Sequence, residues 1–210
     1  FSYWKTRKSV VVWSGIVLFL LGFNAWLGAT VVFSVLSPVK ITTHMIAALI
    51  NVAALIYTIH LAKGATAYLA KYDKWFYTFA WITMILSLMQ IGLGTQVRQF
   101  IDEQTREGIV DVALWLKNPD VNFYIHRTFS FVIFFANLYL FLRNKRLNLG
   151  SKKVNWVMLL LIVEIITGIL MYYVHFPFGT QAAHLVLAAL MYGLQISMIL
   201  EMKKEKTHEA

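Results

Sequence analysis

Val121–Leu142 reads VNFYIHRTFSFVIFFANLYLFL. An apolar run of about 20 residues is long enough to cross a hydrocarbon core of roughly 30 Å as a helix. This run carries one imidazole, His126, a little over one helical turn inside its leading end. Two other apolar runs open in the same way, with His44 in ITTHMIAALI and His184 in TQAAHLVLAAL. A polar ring at matched depth in three spans is a functional signal, because ionisable side chains inside lipid face a bundle interior and mark a cofactor, an ion path or a relay.

Working outward, six such runs cover most of the 210 residues: about Ser9–Val32, Ile41–Leu61, Trp75–Val97, Val121–Leu142, Val154–Val174 and Thr180–Glu201. The composition agrees, with 59% hydrophobic and only 14% charged residues. A water-soluble domain with so little charge has too little polar surface to cover itself. Backbone groups in lipid must be satisfied within the segment, so the spans are expected to be helices. The alternating pattern of a membrane barrel is absent. The predicted fold is therefore all-α: a polytopic integral membrane helix bundle of six transmembrane helices.

The net charge of +9 invites a nucleic-acid reading, but its placement excludes it. Lys5, Arg7 and Lys8 precede span one; Lys63, Lys71 and Lys74 follow span two. Arg143, Lys145, Arg146, Lys152 and Lys153 follow span four; Lys203, Lys204 and Lys206 follow span six. The opposite loops hold only Lys40, Arg98, Arg106 and Lys117, with Arg127 just inside a span. Such alternation is the positive-inside pattern. It places both termini of this chain in the cytoplasm and the three histidines near the outer face. There is no cysteine, which excludes disulfides, thiolate metal sites and thioether-attached heme. Span one reads as a membrane helix and not as a cleaved leader, being too long and lacking a small-residue cleavage site.

The hairpins repeat. Span one has Asn24-Ala-Trp-Leu-Gly28, span three has Gln90-Ile-Gly-Leu-Gly94, and span five has Glu164-Ile-Ile-Thr-Gly168. In each, a polar residue stands four before a glycine, on one helical face. A loop follows, then a helix with a histidine near its start. Gly28 precedes His44, and Gly168 precedes His184, by the same interval; the middle hairpin has a longer loop, Arg98–Asp120. Within that loop IVDVALWL is expected to lie as a short helix anchored by Trp115. HFPFGT forms a six-residue outer loop before span six, and Pro38 is expected to help stop span one. Three copies of one hairpin constitute an internal repeat, and a fourth copy is expected upstream of Phe1.

Two imidazoles from neighbouring helices at equal depth can ligate one iron from both faces of a porphyrin, and a bundle core is a common place for that. His126 and His184 are the natural pair, since spans three to six make a complete four-helix unit. A lone membrane histidine is more often an interhelical hydrogen-bond donor; repetition at equivalent positions is what favours ligation. Zinc is the weaker reading, because no Cys or clustered carboxylate supplies a third ligand. Arg98 and Arg127 stand where the propionates of an outward-facing porphyrin edge would lie, or they snorkel to the interface. Glu164 shares its repeat position with Asn24 and Gln90, which favours a packing or network role over catalysis. His60, His175 and His208 have no repeat counterpart and read as incidental.

Asn24–Val32, with Pro38-Val-Lys-Ile-Thr-Thr-His44, resembles the second hairpin of the heme A synthase family. Leu93–Arg98 followed by Phe123-Tyr-Ile-His126-Arg127 resembles that family's third hairpin. Glu164–Gly168, Phe176-Pro177-Phe178-Gly179 and His184 resemble its fourth. The likeness, to Bacteroidetes-like members, covers nearly the whole chain. It implies the carboxy-terminal part of an eight-helix pseudo-symmetric fold lacking its first hairpin. It implies residues 1–62 as the substrate-heme hairpin, 63–74 as a cytoplasmic linker, 75–202 as a four-helix bundle binding a b-type heme, and 203–210 as a cytoplasmic tail. It further implies conversion of heme O to heme A by oxidation of a ring methyl to a formyl group, in the inner membrane of a bacterium. The ligand set it implies is His126 and His184 for a bis-histidine heme b, with His44 as substrate-heme ligand. The implied partners are heme O, an unidentified electron acceptor, heme O synthase and cytochrome oxidase assembly factors. Some members carry paired outer-loop cysteines, which this sequence does not contain. A membrane b-type cytochrome that only transfers electrons, and a heme-free assembly subunit, are the other readings.

Overall fold

The computed structural model describes residues 4–33, 38–63 and 72–202. Most of the expected linker, including Gly64 and Lys71, and all of the tail with His208 lie outside the described residues. Among the described residues the chain is helical, with no strand: α1 (Lys8–Phe33), α2 (Pro38–Lys63), α3 (Lys74–Arg106), α4 (Val121–Leu147), α5 (Lys152–Tyr173) and α6 (Thr180–Glu201), plus one 3-10 turn at Val112–Leu114. All six helices are long and apolar enough to cross a membrane.

Consecutive helices pack most closely as α1/α2, α3/α4 and α5/α6. Contacts of α4 with α5 and of α6 with α3 close a four-helix ring, in which α4 and α6 stand at opposite corners. Helix α2 leans on α6 and α3, while α1 touches α2 alone among the described helices. Cross-helix bonds show that the three histidines share one end of the bundle. Thr42 of α2 meets Thr95 of α3 at 3.0 Å at that end. At the other end Arg143 Nε and Nη2 grip the two oxygens of Asp73 at 2.6 and 2.9 Å, and Lys153 Nζ meets Glu201 at 2.5 Å.

Hydropathy alone misplaced some boundaries. Helix α3 runs to Arg106, well beyond the expected Val97, because polar i,i+4 partners continue it past the apolar run: Arg98 with Asp102 at 2.8 Å and Gln99 with Glu103 at 2.9 Å. Such pairs favour helix at an exposed end. Helix α1 already ends at Phe33, and Pro38 opens α2 instead of closing α1; proline suits a first helical position, where its missing N–H bonds nothing anyway. Asp73 and Asp120 cap α3 and α4 by accepting from the N–H of Phe76 at 2.7 Å and of Phe123 at 3.1 Å.

The segment expected as a short interfacial helix is a single 3-10 turn capped by Asp111. Trp115 donates Nε1–H to Ile109 O at 2.9 Å and packs on Phe176, ring centroids 5.4 Å apart. His175 and Phe176 both hold positive φ, 54° and 55°, a left-handed pair that turns the chain sharply from α5 into α6. The α4–α5 turn is closed by buried Asn144, which donates to Ser151 O at 3.1 Å and accepts from Ser151 N at 3.0 Å. Asn148 there adopts the left-handed helix-ending conformation, φ 51°.

Candidate functional site

Each repeat glycine faces the histidine of its own hairpin. A Cβ built on Gly28 would lie 3.1 Å from Cε1 of His44; on Gly94 it would lie 3.3 Å from Cε1 of His126; on Gly168 it would lie 3.8 Å from Cε1 of His184. The bare backbone of one helix is thus a seat for the imidazole edge of the next. The glycines serve close approach, as small residues do between membrane helices, but what they admit is a histidine ring. All three rings are half-buried.

The surroundings of the rings differ. His184 Nδ1 is held by Glu164 Oε2 at 2.6 Å and by Thr167 Oγ1 at 2.8 Å. Nδ1 of His44 and Nδ1 of His126 are buried with no partner among the described residues. Gln90 Nε2 donates to the backbone oxygen of His126 at 3.0 Å, while its Oε1 is buried and unpartnered. Asn24 Oδ1 and Glu164 Oε1 are in the same condition. A buried polar atom left unpaired costs about 1–3 kcal/mol, and such atoms occur at the repeat polar positions as well as on Asn51, Asn137, Ser151 and Gln195 elsewhere in the bundle.

His126 stands on α4 and His184 on α6, at opposite corners of the four-helix ring. His44 belongs to α2, outside that ring but packed against α6 and α3. Arg98 lies at the histidine end of α3. It binds Asp102 at 2.8 Å and the side-chain oxygen of Gln181, three residues before His184. Arg127 is exposed and lies over the rings of Phe123 and Tyr124, 5.8 and 5.4 Å from their centroids. His60 is near the far end of α2, and His175 is exposed in the α5–α6 turn, so neither joins the group.

Thr167, Gln181 and Asp102 were not singled out from the sequence. Thr167 had one available signal: it lies three residues after Glu164 and directly before the repeat glycine. The other two gave none, because their role depends on how α3 meets α6.

The residues present suit a porphyrin iron held by two axial imidazoles. The donors are imidazoles without thiolates, and each lies against a glycine of the neighbouring helix, where a Cβ would crowd the rings of His44 and His126 and only touch that of His184. Among the described residues no three His, Asp or Glu side chains gather as a metal-holding group. No curated protein and no solved structure matches the chain. Residues 1–196 match the family COX15-CtaA, cytochrome oxidase assembly protein. With its helical hairpins and paired histidines described, the chain belongs to that family of multi-pass membrane proteins, the heme A synthase family.

Proposed function

We propose that the protein is a heme A synthase, oxidising a methyl group of heme O to the formyl group of heme A for cytochrome oxidase maturation. Family membership carries the oxidoreductase class and the link to oxidase assembly. The observation that supports the site is the seating of each hairpin's histidine on that hairpin's glycine.

In this reading His126 and His184 would be the two protein ligands of a heme b, and His44 would be the protein ligand on the substrate side. A heme b so held supplies one-electron transfer away from the substrate. The chain's own residues do the rest. Gly94 lets the His126 ring come closer to α3 than a Cβ would allow, while beside His184 Gly168 leaves ordinary contact room. Glu164 and Thr167 orient the His184 ring. Arg98 and Arg127 offer positive charge at the histidine end for propionates, Arg98 by exchanging its Asp102 and Gln181 contacts. Residues 75–202 are the resident-heme unit, and residues 1–62 contribute to the substrate side. The positive-inside pattern supports an outward histidine end, and the membrane in this reading is the inner membrane of a bacterium. The partners are heme O, an electron acceptor, and heme O synthase with oxidase assembly factors.

The test is incubation of purified protein in lipid with heme O, followed by pigment extraction. Heme A should accumulate. A stable low-spin heme spectrum without heme A would contradict the synthase reading and leave a b-type electron carrier.

A further inference from the structure

The polar residue four before each glycine has a more specific task than packing. Residues i and i+4 share a helical face. Asn24, Gln90 and Glu164 therefore lie one turn from Gly28, Gly94 and Gly168, on the side that meets the histidine helix. In the third hairpin the contact is made: Glu164 Oε2 is 2.6 Å from His184 Nδ1. Thr167 Oγ1 is 2.8 Å from the same nitrogen. A hydroxyl has one proton, and that of Thr167 is donated to the backbone oxygen of Glu164 at 2.9 Å. With that proton on the Glu164 carbonyl, the hydroxyl is free to accept from His184, an arrangement that puts the ring proton on Nδ1 and leaves Nε2 its lone pair.

The other hairpins hold matching halves of the same bond. Gln90 already touches His126 through its backbone oxygen at 3.0 Å. Gln90 Oε1, an acceptor without a donor, and His126 Nδ1, a ring nitrogen without a partner, are both buried. Asn24 Oδ1 and His44 Nδ1 stand in the same relation in the first hairpin. Two hairpins thus each bury one unpaired carbonyl oxygen and one unpaired Nδ1, on residues at the positions that bond in the third.

We infer that Asn24, Gln90 and Glu164 are positioning residues for His44, His126 and His184: each accepts the Nδ1 proton of its own hairpin's histidine and leaves Nε2 for iron. The inference rests on the heme reading above. It also makes the three histidines unequal. A carboxylate acceptor raises ligand basicity more than an amide does, so His184 is the strongest donor of the three.

The experiment uses the full chain labelled with 15N-histidine, in lipid, with ring tautomers read by solid-state NMR and heme content measured on the same samples. Wild-type His184 should be protonated at Nδ1. The double variant Glu164→Ala, Thr167→Val should lose that preference and retain heme about 10–100-fold less well. Glu164→Gln, which installs the acceptor of the second hairpin, should keep the tautomer and restore heme, with the heme midpoint potential moved upward. Gln90→Glu should move that potential downward. A wild-type His184 protonated at Nε2, a tautomer unchanged in the double variant, or potentials that move the same way in both swaps would overturn the inference. A wild type with the stated tautomer that binds no heme would overturn the heme reading and leave the hydrogen-bond assignment standing.

Discussion

Replacing the three repeat glycines by alanine should have graded effects. A Cβ on Gly28 meets His44 Cε1 at 3.1 Å, on Gly94 it meets His126 Cε1 at 3.3 Å, and on Gly168 it meets His184 Cε1 at 3.8 Å. Carbon atoms rest comfortably at roughly 3.5–4.0 Å. Gly28→Ala must therefore push its imidazole back by about half an ångström, Gly94→Ala by somewhat less, and Gly168→Ala not at all. Overpacking of this kind costs about 1–3 kcal/mol, offset by about 1 kcal/mol from the better helix propensity of alanine. Gly168→Ala should be neutral or stabilising by up to about 1 kcal/mol on that scale. Gly28→Ala and Gly94→Ala should lose up to about 2 kcal/mol net. Metal–ligand distances tolerate only about 0.2 Å, so the displaced His126 should weaken heme retention by about 5–30-fold, the equivalent of 1–2 kcal/mol. The assay is the heme-to-protein ratio of each purified variant, with thermal unfolding followed by tryptophan fluorescence. If Gly168→Ala loses as much heme as Gly94→Ala, or if Gly94→Ala loses none, the glycines are not histidine seats.

The other expectations concern the bundle itself. Asp73→Asn should destabilise the protein by up to about 1 kcal/mol, because asparagine still caps α3 but cannot ion-pair with Arg143; denaturant titration in detergent reads this. The Asp73 carboxyl is held below the usual carboxylate range, chiefly by its hydrogen bond from Arg143. Its contribution is thus fully present above the unfolded value of about 3.9 and is lost as pH falls through the lower folded value. The gap between wild type and Asp73→Asn should be constant from neutrality to about pH 5 and close only in stronger acid. Asn144→Ala should cost about 1–3 kcal/mol by leaving the backbone groups of Ser151 buried and unpaired, seen as a lowered melting temperature. Gly193→Ala should be tolerated, since the new Cβ meets at 3.0 Å only the mobile end of Ile56; an unchanged melting temperature checks it.

The fold was legible because lipid leaves the backbone little choice. A chain such as Val121–Leu142, whose polar backbone must be satisfied within itself, becomes a helix wherever it is long enough. The repeat was legible because polar residue, glycine and histidine recur at fixed positions. What lay beyond reach were features set by charge or by contact. The last turns of α3 are held by Arg98–Asp102 and Gln99–Glu103, pairs that hydropathy scores against a span. The glycine spacing announced close approach but did not say that an imidazole, and not an aliphatic side chain, fills the gap. Thr167 looked like any threonine in a membrane helix until its hydroxyl was found between the Glu164 carbonyl and His184. For Arg98 the sequence leaves both a propionate partner and snorkelling open, and it does not reveal the Asp102 and Gln181 contacts that α3 and α6 together supply.

The most direct measurement is the low-temperature absorption and EPR spectrum of the purified protein and of His126→Ala and His184→Ala. The wild type should contain a low-spin heme with two imidazole ligands, and each substitution should remove that signal while the protein remains in the membrane. A wild-type spectrum that persists unchanged in both variants would contradict the account.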